Sequence, residues 1–159
     1  MLRKDRMHVM HQLSDSLIAN IEELATIESI DNGKPIGMAM YDVKGAAGII
    51  RAMAGYAESL KGEQIPMNGN MLCYTQHVPL GVCGQITPWN FPILMAAFKL
   101  APVLASGCTS VLKPAENTPL STLKIAELLS KTDMPAGVIN VLPGFGTEAG
   151  AALVAHPEV

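Results

Sequence analysis

Three short apolar runs, Val82–Ile86, 109–112 and 138–142, alternate with stretches of helical spacing, and this alternation limits the fold more than any other feature. The intervening stretches are Pro92–Ser106, apolar on most of its surface, and 119–131, with Leu120, Leu123, Ile125, Leu128 and Leu129 on one face. A last helical stretch is expected over 147–156. The order β-α-β-α-β-α predicts an α/β chain with a parallel sheet and right-handed crossovers. The runs are apolar throughout rather than alternating, so both faces of the sheet are expected to be covered. A three-stranded sheet with an open edge is also a liability. The expectation is therefore that further chain belongs after Val159.

The first 62 residues read as helical. Met7, Met10, Leu13 and Leu17 share a face, and Leu24, Ile27 and Ile30 share another. Asn20 with Glu23 fits a capping box between these two helices. Asn32-Gly33 followed by Pro35 is a stop signal. A third run carries Val43, Ala46, Ile50, Met53, Ala57 and Leu60 and ends at Gly62. Residues 63–79 change texture, with Pro66, Asn68-Gly69-Asn70 and Leu72-Cys73-Tyr74-Thr75, and read as a β-hairpin. Boundaries are expected near Lys61 and Pro79.

Composition narrows the function. Of the 159 residues 49% are hydrophobic and 16% charged, enough to build a core and too apolar for a disordered chain. A formal net charge of −3 with scattered Lys and Arg gives no electrostatic case for nucleic acid. Cys73, Cys83 and Cys108 form no CxxC or Cys/His cluster, so neither zinc nor a disulfide framework is indicated. A reducing compartment is the expectation. No signal-peptide core and no membrane-length apolar run are present in the sequence.

Three segments carry possible chemistry. Pro88-Trp89-Asn90-Phe91-Pro92 follows a strand and precedes a helix, where ligands bind in open α/β sheets. The Asn90 amide can donate to a developing oxyanion, or it can cap the next helix, which local pattern favours. Lys113-Pro114-Ala115-Glu116 also lies just past a strand and can hold two ribose hydroxyls, or form an exposed charge pair. Gly144-Phe145-Gly146-Thr147-Glu148-Ala149-Gly150 is spaced GxGxxxG, not GxGxxG, and suits a tight turn with close packing as well as it suits a cofactor.

At these residues the chain resembles the aldehyde dehydrogenase superfamily, in its NAD-dependent, class 1/2-like branch. Gly81-Val82-Cys83-Gly84-Gln85-Ile86 with Pro88–Pro92 is similar to the family's first nucleotide-domain strand and turn. Lys113 to Glu116 looks like its adenosine-ribose clamp, and 143–150 like its next βα turn. Asp31-Asn32-Gly33-Lys34-Pro35 also matches, so the resemblance covers essentially the whole chain. It implies a helical lead (1–62), a β-hairpin of an oligomerisation element (63–79) and the first half of an NAD-binding Rossmann-like domain (80–159).

The implied activity is NAD-dependent oxidation of an aldehyde to a carboxylic acid through a cysteine thiohemiacetal and a thioester. Asn90 would stabilise the oxyanion. Ile86, Thr87, Pro88 and Trp89 would line the cofactor cleft, Lys113 and Glu116 would bind the ribose, and Gly146, Thr147 and Gly150 would lie by the adenine. The Glu116 carboxylate argues for NAD over NADP. The resemblance also implies an aldehyde substrate, a homo-oligomer and a cytoplasmic setting, with a mitochondrial one left open; no metal, nucleic-acid or membrane partner is expected. The family's catalytic cysteine, general-base glutamate, pyrophosphate turn and extreme N-terminal segment have no counterpart here. The chain is thus expected to be an N-terminal fragment, inactive alone, its three cysteines structural. The alternative is a non-catalytic nucleotide-binding or assembly module.

Overall fold

The computed structural model describes residues 1–159. Helices α1 (Arg3–Ala19), α2 (Ile21–Asn32) and α3 (Ile36–Ala54) form the lead, and a short α4 (Tyr56–Ser59) extends it. Met10, Leu13 and Leu17 of α1 are fully buried, as their spacing predicts. Gly33 closes α2 at φ +83°, a conformation that favours glycine.

A hairpin follows, with β1 (Gln64–Ile65) antiparallel to β2 (Cys73–Tyr74). The chain then alternates through β3 (Val82–Ile86), α5 (Pro92–Ser106), β4 (Thr109–Lys113), α6 (Leu120–Leu129) and β5 (Ile139–Val141). The three strands make a parallel sheet in the order β3-β4-β5, with Ile86 opposite Lys113 and Leu112 opposite Val141. One core runs without a break from α1 and α3 through α5 to Leu112 of β4 and Ile125 of α6. The lead is thus packed onto one face of the α/β unit. No helix is long and apolar enough to cross a membrane.

Several expectations are corrected. Asn20 does not cap α2 with its side chain; its Nδ2 donates back to the Ser16 carbonyl at 2.7 Å, because a single residue separates two helices and a C-terminal carbonyl of α1 is nearest. Glu23 instead pairs with Lys124 of α6 at 2.8 Å. Ile30 is 77% exposed, and Glu28 takes the inward position on α2. Ser121 and Thr122 are buried on α6 while Leu120 is half exposed. The strands are not covered on both faces throughout: Val82 and Ile86 of the outer strand β3 are more than two-fifths exposed. The last helical stretch runs from Gly146 to Ala155, close to the expected 147–156, but its first turn is not α-helical. A π-type turn over Gly146–Gly150, with the Gly150 N–H donating to the Phe145 carbonyl at 3.3 Å, precedes α7 (Ala151–Ala155).

Candidate functional site

The carboxyl ends of β3 and β4 lie side by side, and the ladder runs one residue further as the Thr87 N–H donates to the Lys113 carbonyl at 3.1 Å. Beyond them a cleft of about 500 Å³ is lined by Ile86, Thr87, Lys113, Ala115, Glu116 and Gly146, and bounded by Gly150, Ala151 and Val154. Six sequence-predicted residues therefore meet: Ile86, Thr87, Lys113, Glu116, Gly146 and Gly150. Pro88, Trp89, Asn90 and Thr147 are exposed and stand outside this lining. Ala115, in the turn after β4, and Ala151 and Val154 of α7 were not anticipated, since small apolar residues carry no chemical signal in a sequence.

Lys113 and Glu116 are not an ordinary surface charge pair. The lysine is 2% exposed, its stem lying within about 3.6 Å of where a Cβ on Gly150 would be. Its Nζ donates to the Pro114 carbonyl at 2.8 Å and to Glu116 Oε2 at 3.1 Å. The Glu116 carboxylate faces solvent and is held below the usual carboxylate range. Its own backbone N–H contributes most to this, then the Lys113 hydrogen bond, with the Gly146 N–H adding from across the cleft. An ionised carboxylate is thus fixed between two βα turns.

The turn after β3 is held by the lead helices. Asn32 Nδ2 donates to the Trp89 carbonyl at 2.7 Å, and Thr118 Oγ1 to the same oxygen at 3.5 Å. The N-cap of α5 is Phe91, with no side-chain cap and Pro92 at the first turn, so Asn90 does not serve as the cap. The start of α5 is met from a distance instead: the Ile93 N–H donates to Glu28 Oε1 at 3.4 Å. Glu28 is fully buried and shares Lys34 with Asp42, at 3.1 Å and 2.7 Å respectively. The Lys34 ammonium also stands 4.9 Å from the centre of the Phe91 ring. Asp31 caps α6 by accepting the Leu120 N–H at 2.8 Å. Glu28, Asp31, Asn32, Lys34 and Asp42 were missed as site supports. The Asp31–Lys34 motif was visible, but nothing in it says which strand-end turn it reaches.

The glycine turn divides by role. A Cβ on Gly144 would stand 2.8 Å from that of Ala149, so this glycine serves close packing; Gly146 has open space on the cleft side. No cluster of three or more His, Cys, Asp or Glu is arranged to hold a metal ion.

The family model described as "Aldehyde dehydrogenase family" matches residues 1–159. An aldehyde dehydrogenase of Enchytraeus buchholzi is 49% identical over 156 residues, which cover 98% of this chain and 31% of that protein. Human retinaldehyde dehydrogenase 3 is 46% identical over 97% of this chain and 30% of its own length. Among solved structures, the NAD+ complex of a Bacillus cereus aldehyde dehydrogenase superposes with a TM-score of 0.98 at 46% identity, over 100% of this chain and 33% of that one. An NADP-dependent enzyme of E. coli does so with a TM-score of 0.97 at 35% identity, over 100% and 33%. The chain spans about a third of the length of the relatives it matches. It belongs to the aldehyde dehydrogenase family.

Proposed function

We propose that this chain supplies the adenosine side of an NAD site and the oxyanion donor of an aldehyde-oxidising enzyme. The observation that carries this reading is the buried Lys113 holding an ionised, outward-facing Glu116 beside the open backbone of Gly146 in a cleft at the strand ends. The residues fit a ribose and an adenine. Lys113 ties up one carboxylate oxygen, Oε2, and steadies the group, so that Glu116 can accept from a ribose diol. Ile86, Ala115, Ala151 and Val154 offer an apolar wall to a flat base, with Gly146 and Gly150 along the same side and the exposed Thr147 next to Gly146 at its rim. Ile86 and Thr87 close the cleft on the β3 side, and Pro88 and Trp89 continue the turn beyond its lining, where the rest of a dinucleotide would run. NAD, when bound, would supply the hydride acceptor. A carboxylate at this place repels a 2′-phosphate, so NAD is preferred to NADP.

Asn90 projects from the same turn with an exposed carboxamide. Its N–H can donate to the aldehyde oxygen as negative charge develops there, which favours the tetrahedral species over the carbonyl. None of the cysteines stands with it: Cys83 is near the amino end of β3, Cys108 precedes β4, and Cys73 is in β2. The 159-residue chain is therefore expected to bind nucleotide weakly and to oxidise no aldehyde by itself. The chain is read as a helical lead (1–62), an oligomerisation hairpin (63–79) and a Rossmann-like part (80–159) of such an enzyme. Met71, Leu72 and Tyr74 are each about two-thirds exposed in the hairpin, which suits one arm of a sheet completed by another part of a homo-oligomer.

Calorimetric titration with NAD and NADP tests the reading. The expected result is weak binding of NAD, weaker binding of NADP, and loss of that preference in Glu116→Ala. Equal affinity for the two nucleotides in the unaltered chain, or measurable NADH formation from a small aldehyde, would overturn it.

A further inference from the structure

Two Asn-Gly pairs occur in the sequence, Asn32-Gly33 and Asn68-Gly69, and the fold treats them in opposite ways. Such a pair is chemically distinctive. Glycine carries no side chain to shield its amide nitrogen, so that nitrogen can reach the carboxamide carbon of the preceding asparagine.

Asn32-Gly33 is tied down at both reacting groups. Asn32 is the last residue of α2, so its backbone is helical. The Gly33 N–H, which holds the nitrogen that would attack, donates to the Ser29 carbonyl at 2.9 Å. The Asn32 carboxamide is engaged as well, its Nδ2 donating to the Trp89 carbonyl at 2.7 Å. Turning either group toward the other breaks a hydrogen bond and frays the end of the helix.

Asn68-Gly69 has none of these restraints. It lies in the loop 66–72 between β1 and β2, every residue of which is exposed. The Gly69 N–H donates to no carbonyl of the chain. Gly69 stands at φ +79°, and a Cβ there would meet nothing within 4 Å, so the space about its amide is open. The ladder pair next to the loop is Ile65 with Cys73, and rotation at Asn68 leaves it intact.

We infer that Asn68 is a site of spontaneous deamidation and isoaspartate formation, with water as the co-reactant. The Gly69 nitrogen loses its proton and attacks the Asn68 side-chain carbonyl carbon. The bond to Nδ2 breaks and ammonia leaves, which closes a five-membered succinimide. Water then opens the ring. Attack at the former side-chain carbonyl gives aspartate, and attack at the main-chain carbonyl gives isoaspartate. In sum one carboxamide and one water become one carboxylate and one ammonia. Each event adds one negative charge, taking the formal net charge from −3 to −4. Isoaspartate also lengthens the main chain by one methylene between β1 and β2, beside the exposed Met71 and Leu72.

The test ages the folded 159-residue chain under mildly alkaline conditions and follows each asparagine by peptide mapping and mass spectrometry. A gain of about 1 Da is expected first at Asn68. A protein isoaspartyl methyltransferase should methylate the isoaspartyl share of that product. Asn32 should lag by about tenfold or more, because its reaction waits on opening of the α2 terminus. In guanidinium chloride the two asparagines should convert at similar rates, with Asn68 little changed from the folded chain. Asn68→Gln should remove the early product and leave Asn32 as slow as before. Conversion of Asn32 as fast as Asn68 in the folded chain would overturn the inference. So would a rate at Asn68 that rises about tenfold or more on unfolding, since the loop would then be protected. Neither result involves the cleft, so the reading of the nucleotide site stands or falls separately.

Discussion

Replacing Lys34 by methionine should cost more than any exposed charge change in this chain. Lys34 keeps 9% of its side-chain surface exposed, Glu28 none and Asp42 6%, and the one ammonium serves both carboxylates. Lys34→Met keeps the length of the stem and removes the charge. Two carboxylates then remain out of water with no cation between them. Breaking a buried pair by removing one partner costs about 3–5 kcal/mol, because the surviving charge has lost both water and partner. A chain of this size has about 5–15 kcal/mol of stability in all and moves about 2–4 °C per kcal/mol, so Tm should fall by roughly 6–20 °C. Urea unfolding followed by the emission of Trp89, the single tryptophan, measures this directly. The triple variant Glu28→Gln, Lys34→Met, Asp42→Asn removes all three charges and should recover most of the loss. A fall of less than about 1 kcal/mol for Lys34→Met, the range of an exposed pair, would refute the reasoning by showing that water reaches the carboxylates.

Three further outcomes are expected. Glu116 has a folded-state pKa below its unfolded value, so its contribution is present above the unfolded value near about 4.3 and is lost as pH falls through the lower folded one; acid unfolding of Glu116→Gln should differ from that of the unaltered chain only above that lower value, where the native carboxylate is still ionised. Gly62→Ala would place a Cβ 1.7 Å from the Thr75 carbonyl oxygen, a backbone atom that cannot rotate away, so the hairpin should lose its amide protection from hydrogen exchange while the sheet keeps its own. Asn32→Ala removes the 2.7 Å hydrogen bond to the Trp89 carbonyl; a loss of about 1 kcal/mol is expected, with Trp89 more easily quenched by acrylamide, and unchanged quenching would show that Thr118 suffices to hold the turn.

The strands were legible because their apolar runs are short and punctuated: β3 was expected over its observed residues, and α5 likewise between Pro92 and Gly107. Lys113 and Glu116 were legible as a pair because they are three residues apart beyond a strand. What hydrophobic periodicity misses is the polar residue turned inward. Ile30 and Leu120 promised buried faces, and Glu28, Ser121 and Thr122 took those places. The burial of Glu28 depends on partners brought by the fold, Lys34 and the start of α5. The hydrogen bond from Asn32 to Trp89 spans 57 residues, a separation at which spacing rules have nothing to say. The π-type turn at Gly146–Gly150 escaped for a local reason, since a wider turn keeps nearly the same residue pattern as an α-helical one.

The packing of the lead helices on α5 has a consequence for synthesis. Ala39, Val43, Ala46 and Ile50 of α3 are fully buried, and Gly45 brings the helix so near that a Cβ there would stand 3.1 Å from Leu94 of α5. About forty residues lie between the end of α3 and α5. At about 5–20 residues per second the ribosome needs roughly 2–8 s to make them. For that interval α1, α2 and α3 can assemble, yet the stripe of α3 that α5 will cover stays wet. The nascent chain thus carries an apolar face through several seconds of translation, and the hairpin at 63–79 is made while it waits.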